Sequence, residues 1–218
     1  MKKRATLLLA IISLVIILKS EAQIPDSKTA TVILNGVSAK YKSFIAVKAS
    51  FTMKTEGSNN KVTDTQNGTL YVKGNKYKLE LANQEITCDN VKIWTFLKDA
   101  NEVQVNNYEP DPDAITPTQI FTIYEKNFLC GYVEEQTING KIYQVIEMTP
   151  LDKTKPYFKV RLLIDKTDKT IYSVKVFDKN GSHYTYEIIK FTPNPVLVDT
   201  YFTFSSKDHP GVEVVDLR

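Results

Sequence analysis

The chain has 218 residues, of which 42% are hydrophobic and 24% charged, with a formal net charge of +3. Lys2, Lys3, Arg4 and Lys19 against Glu21 carry that whole excess within the first 22 residues, leaving 24 basic and 24 acidic residues behind them. A balanced body excludes the strongly basic surface that nucleic acid or an anionic membrane would call for, and the remaining 196 residues suit one domain with a sizeable core.

The first element is an export signal. Lys2, Lys3 and Arg4 form a basic start, and Ala5 to Leu18 is apolar apart from Thr6 and Ser13. Ser20-Glu21-Ala22 puts small residues at the −3 and −1 positions before Gln23. An uncleaved anchor is the alternative, but the run falls short of the ~20 residues of a membrane span. The first cysteine is Cys88, so the processed chain is not itself an N-terminally acylated lipoprotein. Residues 1–22 are thus expected to be a signal peptide and 23–218 a soluble exported domain.

Ser27 is expected to cap a helix running to about Tyr41, with Ala30, Ile33, Leu34 and Val37 at helical spacing. From Ala46 the period changes to two: Val47, Ala49, Phe51 and Met53 alternate with Lys48, Ser50, Thr52 and Lys54, a strand with one buried face. Gly68–Lys73 and Lys76–Leu81 follow as a hairpin through Gly74-Asn75. Gln84–Thr87, Val91–Leu97 and Glu102–Val105 are the next strands. Past Pro110 and Pro112, Thr116 caps and Pro117 starts a second helix to about Leu129, with Ile120, Phe121, Tyr124 and Phe128 on one face. Strands resume at Tyr132–Thr137, Tyr143–Thr149, Phe158–Ile164, Ile171–Phe177 and His183–Phe191, with turns at Asn139-Gly140 and Asn180-Gly181. A short strand near Thr200–Phe204 ends the series. Two short helices among about ten hairpin-linked strands predict a mainly β (α+β) fold built on one antiparallel sheet, strongly curved or part-closed.

Several strands are apolar on both sides, including Ile93-Trp94 with Phe96-Leu97, Leu162 to Ile164, and Ile146 with Met148. A sheet wet on one side would alternate cleanly. Either helices cover the second face, or an apolar cavity lies between a concave sheet and its helical cover.

Catalytic patterns are lacking. Nucleophile-elbow, phosphate-loop, dinucleotide and zinc-protease motifs are absent, and His183 and His209 stand apart. Glu134 and Glu135 would point to opposite sides of a strand, a poor acid/base pair, and Asp111 and Asp113 sit among prolines. Asn67-Gly68-Thr69 and Asn180-Gly181-Ser182 match the glycosylation sequon, but their Asn-Gly pairs read as turns. Cys88 and Cys130 can be two independent thiols or one bridge; neither neighbours a histidine. Such a chain reads first as a binder of something apolar, without cofactor or metal.

Val37-Ser38, Ala49-Ser50-Phe51-Thr52, Asn67 to Lys73, Cys88 to Phe96, Glu102-Val103, Phe202-Thr203-Phe204 and Pro210-Gly211-Val212-Glu213-Val214 together resemble, in order and spacing, the LolA family of periplasmic lipoprotein carriers. The resemblance implies an incomplete antiparallel β-barrel with short helices as a lid over an apolar cavity. It also implies a non-catalytic periplasmic function: taking acylated lipoproteins from an inner-membrane ABC transporter to an outer-membrane acceptor, as a monomer and without nucleic acid. The cavity is expected to be lined by Phe51, Leu79, Leu81, Trp94, Phe96 and Met148 from strands and by Ile120, Phe121 and Tyr124 from the covering helix; core packing is the alternative for each. The family's enterobacterial members carry a lid-latching arginine just after the Val-Lys of the second strand, where this chain has Gly74, and Asn90 replaces the usual glycine. The second functional reading is a lipid- or lipoprotein-binding sensor on the same fold, and the third an enzyme acting on lipids or glycans.

Overall fold

A computed structural model describes residues 26–109 and 127–218. The described part holds one α-helix, α1 (Ser27–Lys42), and twelve strands: β1 (Ala46–Glu56), β2 (Val62–Lys73), β3 (Lys76–Leu81), β4 (Gln84–Cys88), β5 (Lys92–Leu97), β6 (Glu102–Asn107), β7 (Phe128–Ile138), β8 (Lys141–Pro150), β9 (Tyr157–Asp165), β10 (Ile171–Asp178), β11 (His183–Pro193) and β12 (Glu213–Asp216).

Asp26, not Ser27, caps α1. Its carboxylate accepts the backbone N–H groups of Lys28 (2.9 Å) and Thr29 (3.1 Å), which the first turn leaves without helical partners. The Thr29 hydroxyl also donates to it and is the main reason the Asp26 carboxyl lies below its ordinary pKa. Asp26 ties this end of α1 to the sheet as well: its N–H reaches the carbonyl of Tyr132 (3.2 Å), and the Tyr132 N–H returns to the carbonyl of Asp26 (3.0 Å). At the other end the buried Tyr41 hydroxyl accepts the Ile171 N–H at 3.0 Å, and burial pushes its pKa up to about 12. Ala30, Ile33, Leu34, Val37 and Tyr41 form the buried stripe, as their spacing predicts.

All twelve strands make one sheet in the order β12-β6-β5-β4-β3-β2-β1-β11-β10-β9-β8-β7, which is not closed into a barrel. Flat, it would span about 50 Å at ~4.8 Å per strand, against a helix only ~10–12 Å across. Yet Cys88 of β4 and Met148 of β8 belong to one buried cluster with α1. The sheet therefore curls around the helix.

Hairpins set the register where the sequence places them. Asn139 and Gly140 adopt φ of +50° and +77°, and Gly74 turns the β2–β3 hairpin at +59°. Asn90 takes the left-handed conformation at +77°, as a substitute for glycine must.

Four expectations need correction. Asn67-Gly68 is no turn: it lies inside β2, with Asn67 paired to Thr52 and Gly68 to Phe51. Most of the expected second helix falls outside the described residues, but Phe128 and Leu129 begin β7, paired with Pro150 and Thr149, because they supply the partner for the far end of β8. Thr200–Phe204 is not a strand: Asp199–Phe202 is a 3₁₀ turn, since its aromatic side chains are used for packing against a sheet face. The tail instead supplies β12, which pairs parallel with β6, so the sheet is not wholly antiparallel.

Candidate functional site

The face of the sheet turned to α1 is apolar from β5 to β7. Cross-strand neighbours line up in rows: Ile93, Cys88, Tyr77, Val72 and Val47 run from β5 to β1, and Tyr186, Val174, Leu162, Ile146 and Tyr132 from β11 to β7. Over β8 to β10 this face is sealed, with Ile146, Met148, Leu162 and Ile164 fully buried in one cluster with the buried stripe of α1. Over β3 to β5 it is not. There Leu79, Leu81, Ile86 and Ile93 are only half-buried, and Met53, Ile188 and Tyr186 on β1 and β11 continue the same partly open apolar surface. Buried apolar groups hold the fold, whereas half-buried ones on a concave face are available to a ligand.

The polar groups on this face are neutral. Burial raises the Tyr77 hydroxyl well above the ordinary tyrosine range, and the neighbouring Cys88 adds to the shift. Burial likewise raises the thiols of Cys88 and Cys130. Both cysteines are free, and Cys88 Sγ accepts the Asn90 N–H at 3.4 Å.

The opposite face of the α1-covered half carries charged groups around the buried Tyr143, Val145 and Ser173. Glu147 accepts from Arg161 (2.5 Å) and Lys159 (3.1 Å); burial would raise its carboxyl, but these two cations hold it below the usual range. Lys54 and the Tyr172 hydroxyl meet Glu187, and Lys175 meets Glu56. His183 packs against the Phe177 ring at 4.7 Å. Glu134 and Glu135 engage Gln136 and Lys166 separately. Among the described residues no cluster of three His, Cys, Asp or Glu side chains could hold a metal ion.

The outer face of β2 to β6 has its own cover, made by the C-terminal segment. Phe202 is fully buried there. Tyr201 stacks edge-on with Tyr71 (5.0 Å) and lies under the Lys78 ammonium (4.8 Å), while Phe204 and His209 enclose the Phe96 ring at 5.6 and 4.5 Å. Asp199 takes Lys73 (2.8 Å) and Lys76 (2.9 Å), which bring its carboxyl down to about 2. Gly74 thus sits in a turn whose flanking lysines are engaged by the tail. A side chain there would carry the strain of φ +59°.

The structure sorts the expected cavity residues into three groups. Phe51, Leu79, Leu81 and Met148 share the α1-facing surface, Met148 in its sealed half and Leu79 and Leu81 in the partly open one. Trp94 and Phe96 alternate with Ile93 along β5 and so face the other way, where the C-terminal rings pack on Phe96. Ile120, Phe121 and Tyr124 lie outside the described residues. Sequence reasoning missed Ile86, Ile93, Tyr77, Met53 and Ile188 as members of the surface; the first two carry a signal in the alternation Ile86–Cys88 and Ile93–Thr95. A further groove of about 1000 Å³ runs between α1 and β7, but Ser27, Thr31, Asn35 and Lys42 make much of its wall polar. No described helix is long and apolar enough to cross a membrane.

Comparison with known proteins gives the geometry a context. Residues 42–205 match the family model described as outer membrane lipoprotein carrier protein LolA. No curated protein matches the chain. Among solved structures, an uncharacterized conserved protein from Thermus thermophilus aligns with a TM-score of 0.58 at 10% identity, covering 86% of this chain and 99% of that one. LprF from Mycobacterium bovis aligns at 0.50 and 11%, over 80% and 98%. The LolA superfamily protein NE2245 from Nitrosomonas europaea aligns at 0.42 and 13%, over 80% and 97%. At such identities the likeness to these structures is one of fold.

Proposed function

The chain belongs to the LolA family of outer membrane lipoprotein carrier proteins, and from that membership we propose that it is a periplasmic carrier that binds the acyl chains of lipoproteins and moves them from the inner to the outer membrane without catalysis. In this reading residues 1–22 are a cleaved signal peptide, the donor is an inner-membrane lipoprotein-releasing ABC transporter, and an outer-membrane acceptor takes the cargo.

The observation that carries the proposal is the partly open apolar surface of Leu79, Leu81, Ile86 and Ile93, continuous with a sealed core on the same face. An acyl methylene prefers an apolar environment by about 0.8 kcal/mol. A multi-chain anchor therefore cannot cross water unaided, and a carrier must offer comparable apolar area yet release it. Side chains already half-removed from water gain less on binding than fully exposed ones, which limits affinity and favours release. Two polar groups on the same face, Tyr77 and Cys88, have pKa values raised by burial and are uncharged at neutral pH, so a hydrocarbon chain laid against them desolvates no charge there.

The test is direct. The processed domain, isolated from its host compartment or incubated with membranes holding a triacylated lipoprotein, should carry bound acyl chains detectable by native mass spectrometry and should extract the lipoprotein into solution. A domain that stays empty and extracts nothing would exclude the carrier function.

A further inference from the structure

Gly68 poses a question that packing alone answers. It lies in the middle of β2, where a glycine costs backbone entropy and offers no side chain to the sheet. A Cβ at this position would stand 2.5 Å from Cζ and 3.0 Å from Cε1 of Phe51, and 2.8 Å from Cδ2 of Leu81. Phe51 is the direct cross-strand partner of Gly68 on β1, and Leu81 is its partner on β3. The Phe51 ring therefore leans across β2 over the bare glycine and reaches the first residue of the partly open surface. Behind the ring, on β11, stand Ile188, its cross-strand partner, and Tyr186, whose ring centroid is 6.1 Å away.

We propose that Phe51, reclining over Gly68, is the wall that sets how long an acyl chain this carrier accepts; the inference rests on the acyl-carrier reading above. The dimensions fit. One acyl chain spans half of a hydrocarbon core of ~30 Å, or about 15 Å. Laid across the strands from Thr95 on β5, such a chain crosses Ile86 on β4 and Leu79 on β3 and arrives at Leu70 on β2 after three spacings, about 14 Å. It ends at Gly68 and Leu70, against the Phe51 ring. Beyond the ring the same apolar face continues to Met53, Tyr186 and Ile188, so length is limited there by one side chain and not by the end of the apolar surface. The wall depends on the glycine, because any side chain at position 68 would lift the ring off the sheet and into the space that the chain occupies.

A series of saturated fatty acids of increasing length, competing for the purified domain with a fluorescent acyl probe, tests this. Wild-type affinity should rise about fourfold per added methylene and then stop rising. Phe51→Leu should carry the rise further, giving the longest acids about tenfold or more over wild type, roughly two methylenes' worth. Gly68→Ala should stop it earlier. Should Gly68→Ala fail to fold, judged by circular dichroism, Phe51→Leu decides alone, since it keeps an apolar residue in place. A folded Phe51→Leu protein with the wild-type stopping length overturns the assignment while leaving the carrier reading intact. A wild-type domain that binds no acid of any length overturns the carrier reading and this inference with it.

Discussion

Replacing Phe202 by alanine separates the two faces of the sheet. Phe202 is fully buried, yet it lies under the C-terminal cover, on the side of β2 to β6 turned away from α1. Truncating a buried phenylalanine removes its transfer free energy and leaves a cavity, together about 3–5 kcal/mol. The cover is also held by the Asp199 pairs with Lys73 and Lys76, the rings around Phe96, and the backbone bonds of β12 to β6. The ring packing and the β12–β6 backbone bonds resist local detachment of the cover, so most of the cost should reach the global transition. We expect a loss of about 3 kcal/mol, which at a urea m-value of ~2 kcal/mol/M lowers the midpoint by about 1.5 M. Far-ultraviolet circular dichroism measures it, and the fluorescence of Trp94, the single tryptophan and also on the outer face, should follow the same curve. Below the transition, acyl binding should change less than about twofold, since Phe202 belongs to the cover on the other face. A midpoint shift under ~0.3 M, or a parallel fall in acyl affinity in folded protein, would refute the assignment of faces.

Two other outcomes follow from the same geometry. Ile86→Asn places an amide in the half-buried surface and should weaken acyl binding about tenfold, by displacing apolar contact worth ~1–1.5 kcal/mol, while the urea midpoint moves little; equal binding in a titration with the fluorescent probe would count against Ile86 as part of the site. The Asp199 carboxyl, depressed by Lys73 and Lys76 to about 2 from 3.8, contributes stability that is present above the unfolded value and lost as pH falls from about 4 towards 2. Trp94 emission should therefore show a change across that window which Asp199→Asn abolishes, and identical titrations in the two proteins would exclude the pairs as a hold on the tail.

Much of this fold is legible along the chain because its strands alternate and its turns carry residues that tolerate positive φ. β1 reads correctly since one of its faces meets the core and the other lies outward, and Asn139-Gly140 marks the β7–β8 hairpin through a conformation few other pairs adopt. β5 does not read so clearly. Both its faces are apolar, one turned to the partly open surface and the other packed under Phe204 and His209, so Ile93, Trp94 and Phe96 look alike in sequence and only packing separates them. Asn67-Gly68 misleads for a related reason: the pair has turn chemistry, but Gly68 is there to admit a ring from a neighbouring strand, and Asn67 is used by the Thr52 hydroxyl, 2.8 Å away.

By itself, then, the amino-acid sequence determines the class of the protein: a charge-balanced body behind a basic and then apolar opening segment, a sheet built from hairpins, and the ordered motifs of a lipoprotein-carrier family. These are local or additive properties, readable residue by residue. The tertiary structure decides which side of each doubly apolar strand meets α1, that the aromatic tail seals the outer face in place of adding a strand there, and that Phe51 lies over Gly68. Each of those depends on side chains brought together from distant parts of the chain, and no spacing within one segment encodes them.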